Sequence, residues 1–180
     1  YKMRGERSFQ GSNAQDRKRS IDENLHLLPG LQQHLSGKTV ILIDDSIVRG
    51  NNSVRATQLL IDQAGVKKVY LVSYTPPIGI IPADGIPRGC MFGVDMPPEP
   101  PDGEGYVARG RDPGQISEAM GVPVVYISLA GMDRGFERLG MDAGNLCTYC
   151  IGGKHPFNDL KQVEAVDTVA AQKQMGLPLA

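Results

Sequence analysis

The stretch TVILIDDSIVRGNNS at 39–53 places two adjacent carboxylates, Asp44 and Asp45, directly behind an apolar run and ahead of a hydroxyl, an arginine and a glycine. Neighbouring carboxylates repel, so hydroxyl-bearing or cationic groups have to meet them. The turn that follows, SIVRGNNS, offers several backbone N–H groups at what reads as a helix N-terminus, a favourable seat for a phosphate. A single ligand that satisfies both ends carries hydroxyls at the acids and a phosphate about one turn away. A ribose 5-phosphate has that shape. An acidic strand end that is merely solvated is the other reading of the same residues.

Elements to position those residues are legible on either side. GKTVILIDD is a β-branched run between turn residues, expected as a strand buried on both faces. SVRATQLLIDQAG reads as a helix capped by Asn52 or Ser53, with Ala56, Leu59, Leu60 and Ala64 on one apolar stripe and Gly65 ending it. VKKVYLVSYTPP supplies a second strand, stopped by Pro76 and Pro77. Strand, helix and strand in this order require a parallel sheet, and ligands of such sheets sit beyond the carboxyl ends of the strands. The Pro- and Gly-rich stretch 76–101 is expected to be irregular. A helix at 114–120, a strand at 122–130 and a helix at 132–139 complete the pattern. Residues 1–24 are polar and read as a flexible loop, 25–157 as the α/β domain, and 158–180 as a C-terminal helix (160–175) and tail.

With 19 basic and 20 acidic residues, the 180-residue chain offers no bulk electrostatic reason to bind nucleic acid. No apolar run approaches the roughly 18 residues of a membrane span. The chain opens at Tyr1 without a signal pattern and is read as a cytoplasmic fragment. Its three cysteines include a CxxC pair, Cys147 and Cys150, with Cys90 distant. That pattern alone fits half a zinc site, a redox pair or chance.

IDDSIVRGNNS resembles the phosphoribosyl-diphosphate loop of the type I phosphoribosyltransferases, and its DDSIVRG core is most similar to the amidophosphoribosyltransferases. Further blocks resemble that family in its order: RSFQGSNAQDRKRSIDENL at 7–25, YTPPI at 74–78, GCMFGVDMP at 89–97, ARGR at 108–111, YISLAGM at 126–132 and CTYCIGGKHP at 147–156. The resemblance implies a parallel-sheet phosphoribosyltransferase fold, incomplete at its N-terminus, with an irregular C-terminal extension. It implies that Asp44 and Asp45 hold the ribose hydroxyls, directly or through magnesium, and are the catalytic pair. Ser46, Arg49, Gly50, Asn51, Asn52 and Ser53 would surround the 5-phosphate. The reaction implied is the opening step of purine biosynthesis, in which ammonia from a glutaminase domain displaces diphosphate to give 5-phosphoribosylamine. The full-length protein would be a homo-oligomer, and this portion alone is expected to be inactive.

One position separates the branches. Relatives that alkylate a nucleobase usually carry an aspartate where Val48 stands, and ammonia has no ring N–H to remove. Cys90, Cys147 and Cys150 match three ligands of a four-iron four-sulfur cluster found in one branch, the fourth being expected upstream. This chain departs from the family at Asn51 and Asn52, which replace two threonines, and at Asn24, which replaces a lysine. Val122, Pro123 and Val124 replace a segment that normally carries an aspartate. These departures leave room for a divergent or weakened enzyme; the alternative readings are a non-catalytic module that binds or senses phosphoribosyl diphosphate, or a nucleobase phosphoribosyltransferase.

Overall fold

The computed structural model describes residues 14–90, 96–97 and 105–154. The expected helix at 160–175 lies outside these residues, as do 1–13 of the expected loop. Three parallel strands form one sheet in the order β1-β2-β3: β1 Thr39–Asp44, β2 Lys68–Ser73 and β3 Val124–Tyr126. The register pairs Ile41 with Tyr70 and Asp44 with Ser73, then Ser73 with Tyr126. The carboxyl ends of all three strands are therefore level, and they carry a polar row.

Among the described residues five α-helices accompany the sheet: α1 Ala14–Asn24, α2 Leu31–Leu35, α3 Asn51–Gln58, α4 Pro113–Met120 and α5 Leu129–Arg138. The crossover between β1 and β2 runs through α3, which continues as a π-helical turn over Leu59–Gln63. That turn brings Leu59, Leu60 and Ala64 inward, and Gly65 ends it in the left-handed region. The Asp112 carboxylate accepts the Gln115 N–H (2.9 Å), the Gln115 side chain accepts the Asp112 N–H (3.0 Å), and Pro113 follows the cap. This reciprocal box starts α4, and Gly121 ends it.

The main core lies on one face of the sheet, where Ile47, Val69, Leu71, Ile116 and Met120 are nearly or fully buried. A second cluster of Ile78, Tyr106, Met132 and Ile151 joins the irregular 76–90 segment to α5 and the 147–154 hairpin. Two expectations change here. β1 is not buried on both faces: Ile41 and Ile43 are 65 % and 69 % exposed, because no described residue covers their side of the sheet. Residues 14–24 are helical rather than a loop. Ile21 is buried, and Asp22 forms an ion pair with Arg55 of α3 (3.1 Å) that helps dock α1 there.

Candidate functional site

Asp44 is the last residue of β1, and the alternation of the strand turns its side chain toward the half-buried face. Its Oδ2 accepts a 2.5 Å hydrogen bond from the Ser53 hydroxyl, and its Oδ1 accepts from the Asp45 N–H at 3.0 Å. Ser53 is buried in the first turn of α3, so the strand end and the helix start are tied together across nine residues. Asp45 is exposed and accepts from the Ser46 hydroxyl at 3.2 Å. The acidic pair is thus met by hydroxyls, and among the described residues neither carboxylate has a lysine or arginine partner.

Between these ends the chain is anchored twice. Ile47 enters the main core, while the Val48 side chain packs on the second cluster and its carbonyl accepts the Val107 N–H at 2.8 Å. Gly50 then starts α3 at φ +85° and, as a glycine, supplies no side-chain cap of its own. A Cβ on Gly50 would stand 2.6 Å from the Met120 sulfur, so the end of α4 touches the loop directly. The first turn of α3 carries the positive end of the helix dipole, which favours an anion there.

A cavity of about 220 Å³ opens beside Asp44. Of the expected site residues, Asp44, Asn52 and Ser53 line it, whereas Asp45, Ser46, Arg49 and Gly50 belong to the adjoining turn and Asn51 opens α3. Its far wall is α1, through Ile21 and Asn24, with Leu25 directly after the helix. Sequence reasoning missed that wall, although the spacing of Ile21, Asn24 and Leu25 at i, i+3 and i+4 was a helical signal. Ser73 and Tyr126, level with Asp44 in the sheet, were also missed. The Tyr126 hydroxyl is buried without a partner among the described residues, and burial pushes its pKa up to about 12.

The cofactor expectations are overturned. Among the described residues no group of three or more His, Cys, Asp or Glu side chains is close enough to hold a metal ion. That removes the iron–sulfur set of Cys90, Cys147 and Cys150, and it leaves Asp44 and Asp45 without a metal-holding cluster. The cysteines have other surroundings. Cys147 is exposed, whereas Cys150 packs on the second cluster, and its carbonyl accepts the Gly79 N–H. Burial, then the neighbouring Cys90 and Cys147, raises the Cys150 thiol to about 11, so it stays protonated near neutrality.

No protein-family model matches the chain. It is 34 % identical over 129 residues to the amidophosphoribosyltransferase of Archaeoglobus fulgidus, a match covering 71 % of this chain and 25 % of that protein. The Methanocaldococcus jannaschii amidophosphoribosyltransferase is 34 % identical over 139 residues, covering 77 % of this chain and 26 % of the relative. The chain belongs to the amidophosphoribosyltransferase family. Its fold agrees: the glutamine phosphoribosylpyrophosphate amidotransferase of Bacillus subtilis, solved with ADP and GMP, superposes with a TM-score of 0.60 at 26 % identity. That match covers 88 % of this chain and 32 % of the other. The chain spans about a quarter of the length of the curated amidophosphoribosyltransferases it matches. The parallel sheet with flanking helices is the type I phosphoribosyltransferase α/β fold. Among the described residues no helix is long and apolar enough to cross a membrane.

Proposed function

We propose that this chain is the part of an amidophosphoribosyltransferase that grips phosphoribosyl diphosphate. The observation that carries the reading is the Asp44–Ser53 tie, which holds a carboxylate at the strand end beside the start of α3. Asp44 and Asp45 accept from the ribose hydroxyls. Ser46, Arg49, Gly50, Asn51, Asn52 and Ser53 surround the 5-phosphate, mainly through N–H groups at the start of α3. Displacement proceeds at the anomeric carbon: the C–O bond to diphosphate breaks, a C–N bond to ammonia forms, and the ammonium proton passes to solvent. The carboxylates stabilise the positive charge that develops on the sugar.

The placement of Val48 supports ammonia over a nucleobase as nucleophile. Its side chain packs into the second cluster, so this position presents no proton acceptor, and ammonia requires none for attack. The ammonia would come from a glutaminase domain of the intact, homo-oligomeric cytoplasmic enzyme, and the 180-residue chain is expected to bind rather than turn over. Titration calorimetry with phosphoribosyl diphosphate tests the reading. The wild-type chain should bind, and Asp44→Asn combined with Asp45→Asn should abolish the heat; equal heats from both proteins would defeat the assignment.

A further inference from the structure

The turn after β1 is wedged between the main core and the second cluster, and its hold on the latter centres on one tyrosine. Ile47 enters the main core, while Val48 packs on the cluster of Ile78, Tyr106, Met132 and Ile151. The Val48 carbonyl accepts the N–H of Val107, the residue after Tyr106, at 2.8 Å. Of the four buried cluster residues, Tyr106 alone is joined in sequence to that donor. Its own place is fixed from several directions. Tyr106 is 3 % exposed, and its hydroxyl donates to the carbonyls of Met96 and Pro97, each 2.5 Å away. The Arg109 guanidinium stacks on the ring at 4.4 Å. Gly79, at φ +76°, passes so close that a Cβ there would run into the ring. Burial raises the pKa of the hydroxyl, against the charges of Arg109 and Arg49, so it stays a donor; the Arg49 charge is thus felt at this ring.

We propose that Tyr106 is a positioning residue: acting through Val48, it sets the direction in which Arg49 leaves the turn and so presents the guanidinium to the 5-phosphate. The inference rests on the phosphoribosyl diphosphate reading above and adds a residue outside the turn itself. The Val48 carbonyl and the Arg49 N–H share one planar trans peptide, so they point in opposite directions. Tying that carbonyl to Val107 therefore turns the Arg49 N–H away from the segment that carries Tyr106. On the other side of Arg49 the chain is fixed again, by Gly50 at φ +85° against Met120. Arg49 is held between two pinned neighbours before any ligand arrives, which spares part of the ordering cost of binding. Without the Tyr106 ring, Val48 loses the wall it packs on, and the peptide that aims Arg49 is free to rotate.

A double-mutant cycle on the 180-residue chain, read by titration calorimetry with phosphoribosyl diphosphate, tests this. Arg49→Ala alone should weaken binding about 10- to 100-fold, the loss of a charge-assisted contact. Tyr106→Ala should weaken it about tenfold, and adding Arg49→Ala to that variant should cost less than about threefold, because the guanidinium is no longer presented. Tyr106→Phe keeps the ring and should bind within about threefold of wild type. Equal costs of Arg49→Ala in the two backgrounds, zero included, would overturn the proposal, since a residue that only stabilises the fold leaves that cost unchanged. A wild-type chain that gives no heat would defeat the phosphoribosyl diphosphate reading itself and the inference with it. A wild type that binds, with Tyr106→Ala binding equally well, would defeat the inference alone. Hydrogen exchange on the wild-type protein decides the matter if Tyr106→Ala unfolds. The ligand should slow the Val107 amide more than the Leu71 amide, which is bonded to the Pro123 carbonyl in the core, and equal slowing of the two would overturn the proposal.

Discussion

Replacing Gly50 by alanine tests how the loop between β1 and α3 is held. Gly50 sits at φ +85°, where an L-residue with a Cβ pays about 1–2 kcal/mol. The new methyl would also stand 2.6 Å from the Met120 sulfur and 3.1 Å from its terminal methyl. Met120 is only 4 % exposed, so its flexible thioether has to move within a filled core. Overpacking of this kind costs about 1–3 kcal/mol. Together these suggest a loss of about 2–5 kcal/mol, which for a chain of this size lowers the melting temperature by about 4–20 °C. Urea denaturation of Gly50→Ala, Met120→Ala and the double variant separates the two contributions. Removing the thioether abolishes the clash but not the backbone strain, so the double variant should be more stable than the sum of the single losses by about 1–2 kcal/mol. A Gly50→Ala protein within 0.5 kcal/mol of wild type, or strictly additive losses, would refute the contact between α4 and the loop.

Ser53→Ala removes the hydroxyl that donates to Asp44, a charge-assisted bond worth about 1.5–3 kcal/mol, and a smaller loss in urea denaturation would mean that water replaces it. The Cys150 thiol, raised to about 11 from an ordinary 9.0, stays protonated in the fold where the unfolded chain ionises. The stability it contributes is complete below pH 9 and is lost as pH rises toward 11, so the melting temperature of wild type should fall across that window more steeply than that of Cys150→Ala. Iodoacetamide should modify exposed Cys147 well before Cys150, which mass spectrometry of timed digests will read. Arg109 donates to the carbonyls of Gly79 (2.9 Å) and Arg88 (2.6 Å) and stacks on the Tyr106 ring at 4.4 Å. Arg109→Lys, which lacks the planar fork, should cost about 1–3 kcal/mol, again measured in urea.

Much of the loop between β1 and α3 was legible because its determinants are local. β-branched residues, two acids, a left-handed glycine and a following amphipathic stripe dictate strand, turn and helix whatever else the chain does. The helix expected at 114–120 is α4, and the capping box of Asp112 and Gln115 that starts it was a local signal left unread. Burial of β1 was misread because a run such as Val40–Ile43 specifies only that both faces are apolar, not whether anything covers the second. α1 was missed because its sequence is highly charged and its one buried anchor, Ile21, acquires meaning only through contact with α3. The iron–sulfur expectation rested on the family resemblance; among the described residues the fold gives those cysteines no metal-holding group.

The hydrogen bond between Asp44 and Ser53 spans only nine positions, and this has a kinetic consequence. Closing a chain segment of about ten residues takes on the order of 10–100 ns, far faster than pairing distant strands. The hollow beside β1 can therefore be framed on two sides by one short piece of chain before β3, contributed from residue 124 onward, has joined the sheet. A loop built this way carries most of its own folding instructions, so substitutions elsewhere can accumulate while its shape persists.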